Sequence, residues 1–200
     1  MLSVAQLAEA LTERVQALAT RLRALEDKDA IRELIARYGP MADSGDASGV
    51  ADLWSESGTY SVGGVAEAKG QAAIAMLIDG EMHQNLLAKG CAHLLGPVAI
   101  VLDGDAAIAR GHSVVFFRDE SGYRVWRVSA NRWELIRTPD GWRVSRRVNA
   151  PLDGSGEARQ LLGFGDRSDN GQTLKVESHE ELNAPKSRAT VSLRVDRHRL

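Results

Sequence analysis

The chain has 200 residues, 44% of them hydrophobic and 26% charged, and its formal net charge at pH 7 is -2. This composition is typical of a soluble globular domain, and the nearly balanced charge gives no electrostatic basis for binding nucleic acid or an anionic membrane surface. The single cysteine, Cys91, excludes an internal disulfide, and no Cys and His residues recur at the spacing of a metal site, so we expect no metal.

The N-terminal segment, residues 1–24, is predicted to be an amphipathic helix. Its large apolar side chains recur every three or four residues and form one stripe: Val4, Leu7, Leu11, Val15, Leu18, Leu22 and Leu25. The stripe covers only about three heptads, which is short for an independent coiled coil. Packing against the chain's own domain and contact with a second subunit therefore both remain open. Acidic side chains and the lack of a long apolar run argue against a signal peptide or membrane span, so we expect a cytoplasmic protein.

The stretch 27–60 is predicted to hold two helices and the start of a strand. Apolar residues at helical spacing give the first helix one buried face, formed by Ile31, Leu34, Ile35 and Tyr38. Pro40 is predicted to end or kink this helix, and Asp46 to cap the second. Asp43 lies between them, where the chain turns into the core, so its carboxylate needs hydrogen-bonding partners.

Beyond residue 60 the pattern changes from helical to extended. Residues 69–87 are predicted to form a helix with one apolar face, consisting of Ile74, Leu77, Ile78 and Met82. Alternating segments separated by turns then predict a meander with long strands at 106–118 and 123–137. Trp126 and Trp133 fall in opposite phases of the second of these strands, which predicts a bulge near Ala130.

Helices that precede an antiparallel meander indicate the α+β class, with N-terminal helices packed on one face of a curved antiparallel sheet. Such a sheet leaves an internal pocket, where a small ligand commonly binds. The domain is predicted to span residues 25–163. Residues 164–200 contain few large apolar side chains, so we expect a flexible tail, in which TVSLRV could add an edge strand.

Four segments, in this order, resemble the SnoaL-like domain of the nuclear-transport-factor-2-like superfamily. They are IRELIARYGPMADSGDASGVADLW, KGQAAIAMLI, AHLLGPVAIVLDGDAAI and RTPDGWRVSRR, and the similarity covers roughly residues 25–162. The resemblance implies a cone-shaped α+β barrel with an internal pocket. Activities in this superfamily are diverse, so the fold alone does not define the function.

Within that superfamily the chain is most similar to scytalone dehydratase, bile-acid 7-alpha-dehydratase and lindane dehydrochlorinase. This resemblance implies that Asp43, in YGPMAD, and His93, in AHLLGPVAI, form a catalytic pair, and that Tyr38 and Tyr60 match the dehydratase tyrosines. Pro40 departs from the family pattern. Each residue also has a structural interpretation: Asp43 as a cap, His93 as a hydrogen-bonded structural histidine, and both tyrosines as core or strand residues.

An Asp–His pair has a chemical rationale of its own. Elimination beside a carbonyl needs a base for the C–H proton and an acid for the leaving oxygen, and histidine can serve as either near neutral pH. A carboxylate on one ring nitrogen fixes the tautomer and makes the other nitrogen more basic. Tyrosine hydroxyls can polarise the carbonyl. This chemistry needs no metal and no cofactor.

Four further residues are candidates for binding the substrate: Trp54, His112, Trp133 and Arg147. The tryptophans are expected in the core or the pocket wall. His112 lies either in the pocket or at a sheet edge. Alternation along the last strand sends one of Arg146 and Arg147 inward. There it could hold an anionic group, although a solvated ion pair is the preferred interpretation.

We therefore expect a cofactor-independent lyase or isomerase, similar to a dehydratase, that acts on a small apolar cyclic molecule of steroid, terpenoid or polyketide type. The alternatives are a non-catalytic binding protein with the same pocket, and a structural subunit resembling the small subunit of ring-hydroxylating oxygenases. Outward-facing Val, Trp and Phe side chains of the long strands, together with the resemblance, predict a homo-oligomer, either a dimer or a trimer.

Overall fold

A computed structural model describes residues 3–63 and 66–163. The helices in these ranges are α1 (Val4–Ser44), α2 (Ala47–Asp52), α3 (Gln71–Asp79), α4 (Glu81–Lys89) and α5 (Gly156–Leu162). The strands are β1 (Trp54–Val62), β2 (Ala66–Lys69), β3 (Cys91–Leu95), β4 (Ala99–Asp103), β5 (Ala106–Asp119), β6 (Gly122–Thr138) and β7 (Gly141–Pro151). The predicted α+β class is confirmed. The predicted tail at 164–200, including TVSLRV, lies outside the described residues.

The strands form one curved sheet in the order β2-β1-β7-β6-β5-β3, and β4 pairs with β5 beside β3. The β5–β6 and β6–β7 pairs are antiparallel, as predicted. The β1–β7 pair is parallel, so the sheet departs from the predicted antiparallel arrangement at this one pair and is mixed. A parallel pair needs a long crossover, and the chain between β1 and β7 provides it. The two edges of the sheet do not meet, so the predicted barrel is open.

The first helix is continuous from the N-terminal stripe to the candidate site. It spans 41 residues and includes Pro40, whereas the sequence predicted an end or kink there. A proline removes one backbone donor, but Tyr38 and Ala42 are buried in the core on either side of it, and we attribute the continuation to this packing. Gly45, with φ 73°, ends the helix. Asp46 caps α2 as predicted, since its Oδ1 accepts a hydrogen bond of 2.8 Å from the amide of Gly49.

The helix predicted over residues 69–87 is two helices. Gly80 has an extended backbone, with ψ 149°, and separates α3 from α4. The break changes the helical phase, so His83 is buried while Met82, which was predicted to be buried, is exposed.

The predicted bulge near Ala130 is also wrong. The β5–β6 register is regular from Val128 to Ile136, and its irregularity lies between Val115 and Phe116, opposite Trp126. Simple alternation therefore places Trp133 in the core and Trp126 on the outer face.

The middle of α1 is fixed to the β6–β7 hairpin through Asp27. Its carboxylate accepts hydrogen bonds of 2.7 Å from Arg137 and 3.1 Å from the indole of Trp142. The Arg137 guanidinium lies 4.5 Å from the centroid of the Trp142 ring. The hydrogen bond from Arg137 to Asp27 lowers the pKa of Asp27.

Among the described residues, no helix has the length and apolar character needed to cross a membrane.

Candidate active site

Asp43 and His93 are in direct contact. The Nδ1 atom of His93 lies 2.7 Å from Oδ1 of Asp43, and the backbone amide of His93 donates a 2.8 Å hydrogen bond to Oδ2. A carboxylate oxygen only accepts, so Nδ1 carries the hydrogen in this contact. The other ring nitrogen, Nε2, is thereby left as the basic one, which is the tautomer that a general base needs.

A close approach of two elements produces this contact. Asp43 lies in the last turn of α1, and His93 lies in the middle of β3. At Gly39, one turn before Asp43, a Cβ atom would overlap the carbonyl oxygen of His93. Glycine therefore lets the helix backbone come close to the strand, and the carboxylate of Asp43 reaches both the ring and the amide of His93.

The surroundings of His93 favour its neutral form. Burial lowers the pKa of His93 below its ordinary value, and electrostatic interactions with His83 and Arg147 act in the same direction. Asp43 opposes them, through its hydrogen bond and its charge, but does not outweigh burial. The imidazole is therefore ready to accept a proton at neutral pH.

Arg147 is a buried cation with no carboxylate partner among the described residues. Its side chain is 2% exposed, and its Nε and Nη2 atoms donate to Oδ1 of Asn131 at 3.1 and 2.9 Å. Its guanidinium lies about 4 Å from the ring centroids of Tyr38 and Trp133, at 4.1 and 3.9 Å. Nη1 has no hydrogen-bond partner within the described chain, so one buried donor is left for a ligand.

The two arginines that follow Trp142 differ as alternation predicted. Arg147 faces inward, while Arg146 is solvated, with its Nη1 atom 3.6 Å from Glu134. For Arg147, a solvated ion pair was the preferred interpretation, and the structure places it instead in the aromatic core.

Amides and hydroxyls complete the polar side of the site. Asn131 donates a 2.8 Å hydrogen bond to the hydroxyl of Ser113, and Asn149 donates a 3.0 Å bond to the hydroxyl of Tyr60. Burial raises the pKa of Tyr60 far above its ordinary value. The tyrosine is therefore neutral, and its O–H remains able to donate a hydrogen bond to a ligand.

A cavity opens between these groups. Its apolar wall consists of Leu95, Val114 and Val115, and its polar wall of Tyr38, Tyr60, His93, Ser113, Arg127, Arg147 and Asn149. Its enclosed volume is about 10 Å³, and about 240 Å³ of empty space lies among these residues when the part open to solvent is included. The enclosed part has room for about one water molecule, so a larger ligand needs the lining side chains to move apart.

The structure brings together the four predicted catalytic residues but not all predicted binding residues. Asp43 holds His93, and Tyr38 and Tyr60 line the cavity beside it. Trp54 and Trp133 are fully buried behind the tyrosines and Arg147, outside the cavity lining. His112 is exposed and does not line the cavity, because alternation turns its neighbour Ser113 inward.

Five polar residues of the site were missed in the sequence: Ser113 and Arg127, which line the cavity, and His83, Asn131 and Asn149. His83 donates a 2.8 Å hydrogen bond from Nε2 to the carbonyl of Ala42, and its ring lies 5.3 Å from that of His93. It was missed because the break at Gly80 was not predicted. Asn131 and Asn149 lie two residues from Trp133 and Arg147, so alternation could have placed them on the inner face.

The group Asp43, Cys91 and His93 could hold a divalent ion, since its ligand atoms lie within 4.8 Å of one another. Two features favour proton chemistry at this position. The 2.7 Å contact between Asp43 and His93 is a hydrogen bond. Burial and the charge of Asp43 raise the pKa of the Cys91 thiol to about 11, which disfavours the thiolate that binds metals.

Comparison with known proteins connects this site to a family. The sequence profile described as SnoaL-like domain matches residues 23–148. Among proteins with curated descriptions, none is significantly similar to this chain.

Solved structures agree with that match. An NTF2-like protein with a cystatin-like fold from Novosphingobium aromaticivorans is 60% identical over 74% of this chain and 96% of its own, with a TM-score of 0.72. A proposed aromatic ring hydroxylase from the same organism is 26% identical over 64% and 90%, with a TM-score of 0.54. ActVI-ORFA from Streptomyces coelicolor is 17% identical over 64% and 98%, with a TM-score of 0.56, and shows similarity of fold alone.

Proposed function

This chain belongs to the SnoaL-like domain family, and on that premise we propose that it is a cofactor-independent lyase or isomerase similar to a dehydratase. Its substrate is a small apolar cyclic molecule of steroid, terpenoid or polyketide type. The observation that carries the proposal is the Asp43–His93 pair, hydrogen-bonded at 2.7 Å beside a cavity. Arg147 lines the same cavity, and its buried Nη1 has no hydrogen-bond partner within the described chain. A base and a cationic donor on the same cavity suit proton abstraction beside a carbonyl.

His93 both removes the substrate proton and returns it, so the protein gains no net proton in the reaction. His93 Nε2 removes a proton from the carbon beside the carbonyl, and the electron pair of that C–H bond moves onto the carbonyl oxygen as an enolate. In a dehydration, the enolate re-forms the carbonyl, a carbon–carbon double bond forms, and the C–O bond to the leaving hydroxyl breaks. The protonated His93 returns its proton to that hydroxyl, which leaves as water. In an isomerisation, the proton returns to another carbon instead.

Asp43 and Arg147 stabilise the charges that develop. The carboxylate fixes the Nδ1–H tautomer of His93 and offsets the positive charge of the imidazolium. The free Nη1 donor of Arg147 suits the enolate oxygen, and its other donors are held by Asn131. The hydroxyls of Tyr38 and Tyr60 add neutral donors.

The lining supports the substrate class. Leu95, Val114 and Val115 contribute branched aliphatic side chains to the cavity lining, and the tyrosine rings add flat apolar surface. A ring system with one carbonyl and one hydroxyl offers apolar atoms to these residues and oxygens to the polar ones.

The test begins with binding and ends with products. A panel of steroid, terpenoid and polyketide-like ketones is screened for thermal stabilisation of the protein, and each stabilising ligand is then incubated and analysed by mass spectrometry and NMR. We expect the loss of water or a shifted double bond. Ligands that bind but are recovered unchanged would contradict the enzymatic function and support a binding protein with the same cavity.

The similarity to a proposed aromatic ring hydroxylase favours a second candidate, a subunit of a larger assembly. In that role the Asp43–His93 pair would be dispensable. Purification from the native cell with a stoichiometric iron–sulfur partner, together with normal assembly by a His93→Gln variant, would support it over the enzymatic function.

We also propose that the chain forms a homo-oligomer through the outer face of the sheet. Tyr123, Val125, Trp126 and Val128 are exposed on β6, which is a large apolar surface for a monomer. Sedimentation of the full chain should show a dimer or trimer at micromolar concentration. A monomer alone at that concentration would contradict this proposal.

A further inference from the structure

The N-terminal half of α1 has no partner in the described part of the chain. Residues 3–23 are exposed throughout, and the seven apolar residues of the stripe are 56–88% exposed. Over residues 4–25 this arm is about 33 Å long. A helix of this length is marginal in water without tertiary contacts, and so long an apolar stripe indicates an interface.

The stripe cannot pack on the domain to which it is joined. At about 100° per residue, Val4 through Leu25 occupy an arc of roughly 80°. The side chains that α1 buries in its own core, from Ile31 to Ala42, lie on roughly the opposite side of the helix axis by the same count. A partner on the stripe therefore approaches from the side of α1 away from its own domain.

We infer that the stripe is the seam of a parallel, in-register helix pair formed with a second copy of this chain. In that arrangement every stripe residue except Leu7 meets its own counterpart across the seam, as in a two-stranded coiled coil, and Leu7 flanks the seam. The repeat places Val15 and Leu22 at one kind of seam position and Leu18 and Leu25 at the other. Among the flanking residues, Ala5 and Ala19 are small and let the two helices approach closely there.

Charges beside the seam select the partner and its direction. Arg21 and Glu26 flank the seam on opposite sides and are five residues apart, which is the spacing that pairs across two parallel helices. Both are exposed and have no ion pair within the described chain. A parallel pair of identical copies joins each Arg21 to Glu26 of the other copy. The antiparallel pair would instead bring Arg14 against Arg14 near its centre.

Cysteine cross-linking in the full chain tests this arrangement. A Leu22→Cys variant should form a disulfide-linked dimer under mild oxidation, because the two introduced thiols face each other. Thr20→Cys, on the opposite side of the helix, is the matched control and should not cross-link, and neither should the parent chain with its single Cys91. No cross-link in Leu22→Cys, or an equal yield in Thr20→Cys, would overturn the inference. A cross-link formed only when Leu7→Cys and Leu22→Cys are mixed would also overturn it, in favour of the antiparallel pair.

A charge exchange tests the partner choice separately. Arg21→Glu places two carboxylates together on each side of the pair and should reduce the cross-linking yield of Leu22→Cys. Adding Glu26→Arg restores opposite charges and should restore the yield. If the double exchange stays as weak as the single one, Arg21 and Glu26 of the two copies do not pair and the parallel arrangement is wrong. Circular dichroism checks that each variant keeps its helix content.

Discussion

Asp43 holds His93 by both of its carboxylate oxygens: Oδ1 binds the ring Nδ1 at 2.7 Å, and Oδ2 accepts the backbone amide of the same residue at 2.8 Å. The second contact fixes the strand while the first fixes the ring. The imidazole therefore has one orientation and one tautomer, and its other nitrogen, Nε2, is the reactive atom of the proposed mechanism.

Replacement of Asp43 by asparagine should remove most of the activity. An asparagine offers one acceptor and one N–H₂ group in place of two acceptors, so it cannot satisfy both the ring and the amide of His93 in the same tautomer. We expect kcat/KM to fall by about 10²–10⁴, with little change in melting temperature. Asp46→Asn is the matched control, since asparagine also caps helices. Equal activity in the two variants would exclude catalytic pairing by Asp43.

Activity should rise with pH, with its midpoint below the ordinary histidine value of about 6.5. The proposed base is the neutral form of His93, and burial lowers its pKa. Stability should change in the same direction: as pH falls below that value, the unfolded chain takes up the proton before the folded one, so the folded state loses stability. Activity is measured as a kcat/KM profile and stability by urea unfolding. Both are followed between about pH 4.5 and 8, a range that brackets the ordinary histidine pKa of about 6.5. A midpoint above 6.5 would contradict the assignment.

Arg147→Lys should lower kcat/KM although lysine keeps the positive charge. Lysine lacks the planar fork that binds Asn131 through two donors and leaves a third for the ligand. We expect at least a tenfold loss in kcat/KM for a ketone substrate, about the worth of one charge-assisted hydrogen bond. Arg146→Lys, on the adjacent solvated position, should be neutral. A larger loss in kcat/KM for Arg146→Lys than for Arg147→Lys would show that Arg147 does not contact the substrate.

Cys91 should be dispensable. Its thiol lies 3.7 Å from Oδ1 of Asp43, but its raised pKa of about 11 leaves it protonated at neutral pH. Cys91→Ala should keep turnover within about threefold, because no proton transfer passes through the thiol, and prolonged dialysis against a chelator should leave the rate unchanged. Joint loss of activity in both experiments would instead assign the group Asp43, Cys91 and His93 to a metal.

Local patterns predicted most of the elements that build the site. Helical spacing identified the buried face from Ile31 to Tyr38, and the cap at Asp46 is confirmed. Alternation correctly separated Arg147 from Arg146. These signals are short-range, because they depend on the period of a single element.

The errors arose where tertiary packing outweighed a local signal. Pro40 does not end α1, since the helix is held by core contacts on both sides. The parallel β1–β7 pair depends on a long crossover, which no local pattern encodes. The hydrogen bond from Asn149 to Tyr60 joins residues far apart in the chain. The proximity of Asp43 to His93 was implied by the family resemblance. It depends on the close approach of Gly39 to the backbone of His93, and only the folded structure shows that these two residues are neighbours.

Proton abstraction by His93 is the central step of the proposed reaction, and solvent deuterium exchange measures that step without requiring a finished product. A stabilising ketone ligand is incubated in D₂O with the parent protein, with His93→Gln, and with His112→Gln as a control on an exposed histidine. We predict deuterium at the carbon beside the carbonyl with the parent and the control, and a rate lower by about 10²–10⁴ with His93→Gln. Exchange by His93→Gln at the parent rate, with the ligand still bound, would contradict the acid–base role of the Asp43–His93 pair.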